Sequence, residues 1–259
     1  MYPKRCKPLI ILGRQRAGTR FLTEVLNSFD EVSIQGELPN PVMRTAKRCI
    51  QDIERFYAEA ARTGGEKDRR EYKGWLRKKE DFIFSIWEHA GQSRRARYHA
   101  RTRYFGYKRP NNESYFRFYE RSFRHRKPIY VYCTRNFVDN YLSIVSRWPE
   151  RSIERVSSEY IESTMQYHRM VARAPARVLL FNLDDYIGRG LAYIEKNIIN
   201  PLELELSRDH RSDLERMNAR NRTEEDLNTP RRRELTEAEQ AFIRSHPELE
   251  AEFMKLCAP

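Results

Sequence analysis

Between Leu9 and Leu22 the chain reads LIILGRQRAGTRFL: an apolar run closed by Gly13, a short basic turn, Gly18, and an apolar-periodic stretch. A strand, a glycine-bearing turn and a helix start together receive an anion. The first helical turn leaves its N–H groups without intrahelical partners, and the helix dipole favours negative charge there. Gly13, Arg14, Arg16, Ala17, Gly18, Thr19 and Arg20 are the candidate contacts. The spacing approaches the nucleotide loop G-x-x-x-x-G-K-[ST], but Thr19 and Arg20 stand where that motif needs Lys and then Ser/Thr. The hydroxyl that holds Mg²⁺ in the motif is therefore out of place, and the positive charge comes early, from Arg14 and Arg16. This combination implies capture of an anion without provision for magnesium–nucleoside triphosphate chemistry.

Such a loop needs a strand before it and a helix after it, and the sequence supplies both repeatedly. Residues 8–13 read as a buried strand and 19–28 as a helix with Phe21, Leu22, Val25 and Leu26 on one face. EVSIQGE (31–37) reads as a second strand and residues 40–62 as a helix with Pro41 near its start. Residues 64–103, strongly charged, read as helix and loop over the core. Residues 104–110 read as a strand, 112–123 as an aromatic helix, and PIYVYCTR (128–135) as the strongest strand signal, feeding the helix NFVDNYLSIVSRW. Then come helix 151–174, strand 176–186, helix 189–199, a polar stretch at 207–234, and a helix over 235–256 opened by Thr236 and Glu239, a capping box. Strands alternating with helices predict an α/β fold, a central and mostly parallel sheet flanked by helices in three layers, as in P-loop proteins. With no internal repeat or low-complexity linker, residues 1–259 are expected to form one domain.

The net charge of +12 points to an anionic partner: a phosphorylated small molecule, nucleic acid, an acidic glycan or a membrane surface. The four cysteines, Cys6, Cys49, Cys133 and Cys257, form no CxxC pair and have no His at metal spacing. This predicts reduced thiols, no metal and a cytoplasmic setting. The N-terminal apolar run is too short for a signal core or a membrane span.

GRQRAGTRFL resembles the 5′-phosphosulfate loop of sulfotransferases that use 3′-phosphoadenosine 5′-phosphosulfate (PAPS), whose pattern is roughly G-x-P-[RK]-[ST]-G-[ST]-[ST]. Gly13, Arg16, Gly18 and Thr19 match. Gln15 stands for Pro, Ala17 for Ser/Thr and Arg20 for the last Ser/Thr, which keeps the backbone cradle and the cation and removes two hydroxyls. CTRNFVDNYLSIV resembles the family's 3′-phosphate segment, R-[ND]-P-x-D-x-x-x-S, with Arg135, Asn136, Asp139 and Ser143 in place and Phe137 for Pro. The resemblance assigns Arg135 and Ser143 to the 3′-phosphate, a role suited to a planar guanidinium fork and a helix hydroxyl. Both segments fall at strand-to-helix junctions, where open α/β sheets bind ligands. ARVLLFNLDDY and LTEAEQAFIRSHPEL echo later family segments. MNARNRTEEDLNTPRRR, with Arg220, Asn221 and Arg222, falls where the family often closes a mobile loop over the donor and also reads as a solvated charged loop.

Sulfuryl transfer needs a base at the acceptor and positive charge on the leaving phosphate, with no metal. Gly36-Glu37 after the second strand resembles the G-E that supplies the carboxylate base in Golgi tyrosylprotein sulfotransferases and several carbohydrate sulfotransferases. The resemblance thus makes Glu37 the base, with Arg16 and Lys108 as the cations. The cytosolic enzymes use His in K-x-H; here that stretch is GYKRPNN, and none of the six His lies beside these motifs. The expected acceptor is a carbohydrate-like or other hydroxyl compound, or an amine. The alternatives are a P-loop-type kinase and a non-catalytic basic binder of nucleic acid or polyanions, the latter suggested by RRARYHARTRYFGYKR (94–109), which interleaves Arg with Tyr and Phe.

Overall fold

Five short strands carry the computed structural model, which describes residues 6–90, 100–222 and 232–257. In chain order the elements are β1 (Lys7–Gly13), α1 (Thr19–Leu26), β2 (Val32–Gln35), α2 (Asn40–Thr63), α3 (Glu66–Ala90), β3 (Tyr104–Lys108), α4 (Phe116–Ser122), β4 (Ile129–Thr134) and α5 (Phe137–Val145). They continue with α6 (Ile153–Arg173), β5 (Val178–Asn182), α7 (Leu183–Arg189), α8 (Leu191–Ile194), α9 (Arg208–Arg222), α10 (Glu237–Ser245) and α11 (Glu248–Cys257). The strands form one sheet in the order β2-β3-β1-β4-β5, with β2/β3 and β4/β5 parallel, so the expected α/β architecture of a central sheet flanked by helices is present. Among the described residues no helix is long and apolar enough to cross a membrane.

The chain divides into two compact units. The first comprises Met1–Ile10, Asp30–Arg109 and Tyr115–Ile129. Its core is aromatic: Trp87 stacks on Tyr107 at 5.2 Å, Phe84 meets Phe105 edge-on at 5.3 Å, and the Tyr107 and Tyr119 hydroxyls bond at 2.7 Å. Each such ring contributes about 1.5–3 kcal/mol on burial. Gly106 lies so close to β1 that an added Cβ would sit 1.5 Å from the Leu9 carbonyl oxygen. The charged helices α2 and α3 bury their ions in pairs. Lys79 reaches Glu54 at 3.0 Å, and Glu80 receives Arg126 Nε at 3.0 Å and the His125 N–H at 2.9 Å.

The second unit comprises Ile11–Phe29, Pro110–Ser114 and Tyr130–Pro259. Phe137, Tyr141, Ile144, Val145, Ile153, Val156, Tyr160 and Leu249 make one apolar core that joins α5, α6 and α11. On α1, Phe21 packs on Tyr186 at 4.6 Å.

Three expectations are corrected. The predicted strand 176–186 ends at Asn182, because the Asn182 side chain accepts the Asp184 N–H and starts α7. The predicted helix 235–256 is two helices, broken at His246-Pro247 where proline cannot continue the first; its capping box on Thr236 and Glu239 is formed. The polar stretch 207–234 is helical through Arg222. Residues 94–99 of the basic aromatic stretch and 223–231 of the polar stretch lie outside the described residues, as do the side chains of Arg220, Asn221 and Arg222.

Candidate active site

The anion loop is built by two glycines that accept left-handed backbone. Gly13 has φ +115°, and a Cβ there would sit 2.1 Å from the Cys133 carbonyl oxygen. Without one, β1 closes on β4 and the Arg14 N–H donates to that carbonyl at 2.9 Å. Gly18 has φ +83° and is the residue preceding α1, with no side chain capping the helix and no acid in its first turn. The first helical bond is Leu22 N–H to Gly18 O, so the N–H groups of Thr19, Arg20 and Phe21 have no partner among the described residues. Between the glycines, Arg16 has φ +66°, a strained state that costs a non-glycine residue about 1–2 kcal/mol and tends to be retained where it shapes a site.

Arg16 Nε donates to Ser143 Oγ at 3.1 Å, across 127 residues of chain. The two segments singled out by the family resemblance therefore meet, and they do so through residues expected to serve opposite ends of one ligand. Ser143 is buried on α5. The helix starts with Asn136, whose side chain accepts the Asp139 N–H at 2.9 Å. Arg135, just before it and 7 % exposed, has Nη2 3.2 Å from Asp139 and Nε 3.6 Å from Asp184. That Nε makes no hydrogen bond within the described residues. Asp184, in the first turn of α7, also takes the Asn136 N–H at 2.6 Å, so it orients Arg135 from the end of the neighbouring strand.

Arg14 turns inward. It is 1 % exposed, with its guanidinium 5.8 Å from the Tyr160 ring centroid, and its Nε and Nη2 are unpaired among the described residues. Burial lowers its pKa, opposed by Tyr132, Glu113, Glu159 and Tyr160. Beneath the loop a buried chain runs from the Tyr132 hydroxyl to Ser163 Oγ at 2.8 Å and from Ser163 to Glu113 Oε1 at 2.9 Å. Burial pushes the Glu113 carboxyl up to about 7, against the lowering effect of backbone N–H groups, Ser163 and Arg14. Ala17 is fully buried and Thr19 nearly so, while Arg20 lies exposed on α1 with Nε on Glu24 at 2.9 Å.

In the first unit, Lys108 Nζ meets Glu37 Oε1 at 2.5 Å. Glu37 follows β2 and Lys108 ends β3, which runs parallel beside it, so the two carboxyl-terminal strand ends present an acid and a base as a pair. Lys108 is mostly buried and Glu37 half-exposed, and Arg109 Nη1 holds the next carbonyl, that of Leu38.

Asn111, Glu113, Asn140 and Asp184 serve these groups and were not singled out by sequence. Asp184 had a signal, the acidic turn after a strand in FNLDDY; the other three had none without their partners.

The profile of the Sulfotransferase family matches residues 8–183, which contain the loop, Glu37, Lys108, Arg135 and Ser143. No curated protein matches the chain. In fold the chain is similar to the sulfotransferase domain from the olefin synthase of Synechococcus PCC 7002, at 14 % identity and TM-score 0.50, over 81 % of this chain and 78 % of that one. It also aligns with the sulfotransferase STF9 from Mycobacterium avium at 13 % identity and TM-score 0.48, over 95 % of this chain and 77 % of that one. The chain belongs to the Sulfotransferase family.

Proposed function

We propose that the chain transfers a sulfuryl group from PAPS to a hydroxyl or amine acceptor of carbohydrate-like chemistry, by in-line displacement. The observation that carries this reading is the Arg16–Ser143 hydrogen bond, which joins the cationic loop to the segment bearing Arg135. Both halves fit a doubly anionic donor. The uncapped start of α1, with Arg16, suits the 5′-phosphosulfate, and the buried Arg135, whose Nε makes no hydrogen bond within the described residues, suits the 3′-phosphate, with Ser143 donating beside it. Gly13, Arg14, Ala17, Gly18, Thr19 and Arg20 complete the loop, the glycines and Ala17 by leaving room and Arg14 from below. Glu37 is the base that takes the acceptor proton. Lys108 orients that carboxylate and, with Arg16, offsets charge on the leaving phosphate.

Calorimetry with 3′-phosphoadenosine 5′-phosphate, adenosine 5′-monophosphate and Mg-ATP tests the donor class. The expected result is a preference for the 3′-phosphorylated ligand that Arg135→Ala abolishes; equal or tighter binding of Mg-ATP overturns it in favour of a kinase. Glu37→Gln is expected to keep donor binding and lose transfer, and unchanged turnover removes Glu37 from the role.

A further inference from the structure

Within the loop, Gln15 precedes the strained Arg16. The two backbone polar groups of Gln15 go to two asparagines from different parts of the second unit. Asn140 Nδ2 donates to the Gln15 carbonyl at 2.7 Å, and the Gln15 N–H reaches Asn111 Oδ1 at 3.4 Å. Asn111 is itself fixed to the loop, because its own N–H donates to the Gly13 carbonyl at 2.8 Å. Asn140 sits on α5, three residues before Ser143, so one face of that helix holds consecutive loop residues: Gln15 through its carbonyl and Arg16 through its Nε.

Stability gives only a partial reason for an asparagine at 140, because its Nδ2 bond to Gln15 is set against an unmatched acceptor on the same amide. The side chain is fully buried and its Oδ1 has no hydrogen-bond partner among the described residues. An orphaned buried acceptor costs free energy, whereas an apolar side chain of the same shape does not. Leucine has that shape.

We infer that Asn140 and Asn111 are positioning residues that hold the Gln15 backbone, one at its carbonyl and one at its N–H, and keep the anion loop in its receiving shape. Asn140 ties the loop to the helix that carries Ser143, and Asn111 ties it to Gly13. The inference rests on the proposed donor reading for its functional consequence, and its structural half is tested without any ligand.

The test uses the full chain with Asn140→Leu, Asn111→Ala and Gln15→Pro, alone and combined. Asn140→Leu is expected to lower the thermal midpoint by only a few degrees, because the Gln15 carbonyl loses its donor while the unmatched Oδ1 is removed as well. It is also expected to speed hydrogen exchange at the amides of residues 14–18 and to weaken 3′-phosphoadenosine 5′-phosphate binding about tenfold, the loss of one well-made hydrogen bond. A merely structural asparagine would lower the midpoint and leave both the exchange at residues 14–18 and the nucleotide binding unchanged. Gln15→Pro removes the N–H that Asn111 accepts. Asn111→Ala is therefore expected to weaken binding in the native background and to have no further effect beside Gln15→Pro, while Asn140→Leu keeps its full effect there. Should Asn140→Leu not fold, Asn140→Ser, too short to reach the carbonyl, takes its place. Unchanged loop exchange in a folded position-140 variant, or an Asn111→Ala effect of equal size in both backgrounds, overturns the inference. If the native protein does not bind the nucleotide, the donor reading fails and the exchange data still decide the clamp.

Discussion

Glu113 is a buried acid whose charge the fold resists, and replacing it by glutamine reads that resistance directly. The carboxyl is buried, accepts the Ser163 hydroxyl at 2.9 Å, and is pushed up to about 7 from an ordinary 4.5, chiefly by burial. A carboxyl with a raised folded-state value binds its proton more tightly in the native than in the unfolded chain. The native state then holds more protons between about pH 4.5 and 7, and stability falls as pH rises through that window. At 1.36 kcal/mol per pH unit, the loss between pH 5 and pH 8 is about 2.5 kcal/mol, flattening above 7. Glu113→Gln keeps an oxygen for Ser163 and removes the titration. Denaturant unfolding at half-unit steps from pH 5 to 8 is expected to show the variant gaining on the native protein by that amount. Stability curves that stay parallel across the window would refute the reasoning, because the buried carboxyl would then titrate as it does in the unfolded chain.

Two further outcomes test the packing around the site. Gly13→Ala places a Cβ 2.1 Å from the Cys133 carbonyl at φ +115°; about 1–2 kcal/mol of backbone strain and the parting of β1 from β4 are expected to cost more than 3 kcal/mol in denaturant unfolding, and a loss under 1 kcal/mol would contradict the close approach. Glu239 sits where burial works to raise its pKa, but hydrogen bonds from Arg232, Tyr141 and Thr236 outweigh burial and bring it down to about 2. The stability from such a depressed carboxylate is present above pH 4.5 and lost as pH falls toward 2, so Glu239→Gln is expected to cost about 2 kcal/mol at pH 7 and progressively less in acid; a pH-independent gap would count against the charge.

What could be read from the sequence was local. Gly13 and Gly18 announce themselves because a strand, a turn and a helix start are specified within a dozen residues, and the capping box at Thr236 is specified within four. Arg135 and Ser143 were singled out only by the resemblance of CTRNFVDNYLSIV to a family segment; by themselves a strand-end arginine and a helix serine carry no signal. The misread boundaries failed for equally local reasons. Residues 183–186 look like a continuation of the strand until the Asn182 side chain caps α7, and Pro247 sits inside an otherwise unbroken helical pattern. Asn111, Glu113 and Asn140 were invisible because each acts on a residue about 50 to 125 positions away, and no periodicity encodes such a pairing. The same limit hid the direction of Arg14: the sequence supplied two loop arginines, and only the fold sends one under the loop and the other to Ser143.

The surroundings of Arg135 set what it can do. One guanidinium faces two carboxylates, Asp139 at 3.2 Å and Asp184 at 3.6 Å, so its positive charge is more than offset locally. The carboxylates contribute direction instead: they lock a side chain with some 2 kcal/mol of rotamer freedom into one orientation before any ligand arrives. An anion meeting this group gains a preorganised fork but little net attraction, and the attraction must come from charge that the acids do not offset. Arg16 adds a second positive charge at the same helix, which it reaches through Ser143. Direction from Arg135 and charge from Arg16 are separate contributions. That is why the loop has to be held against α5, and why a neutral amide such as Asn140, which adds no further charge to the site, is the right chemistry for the joint.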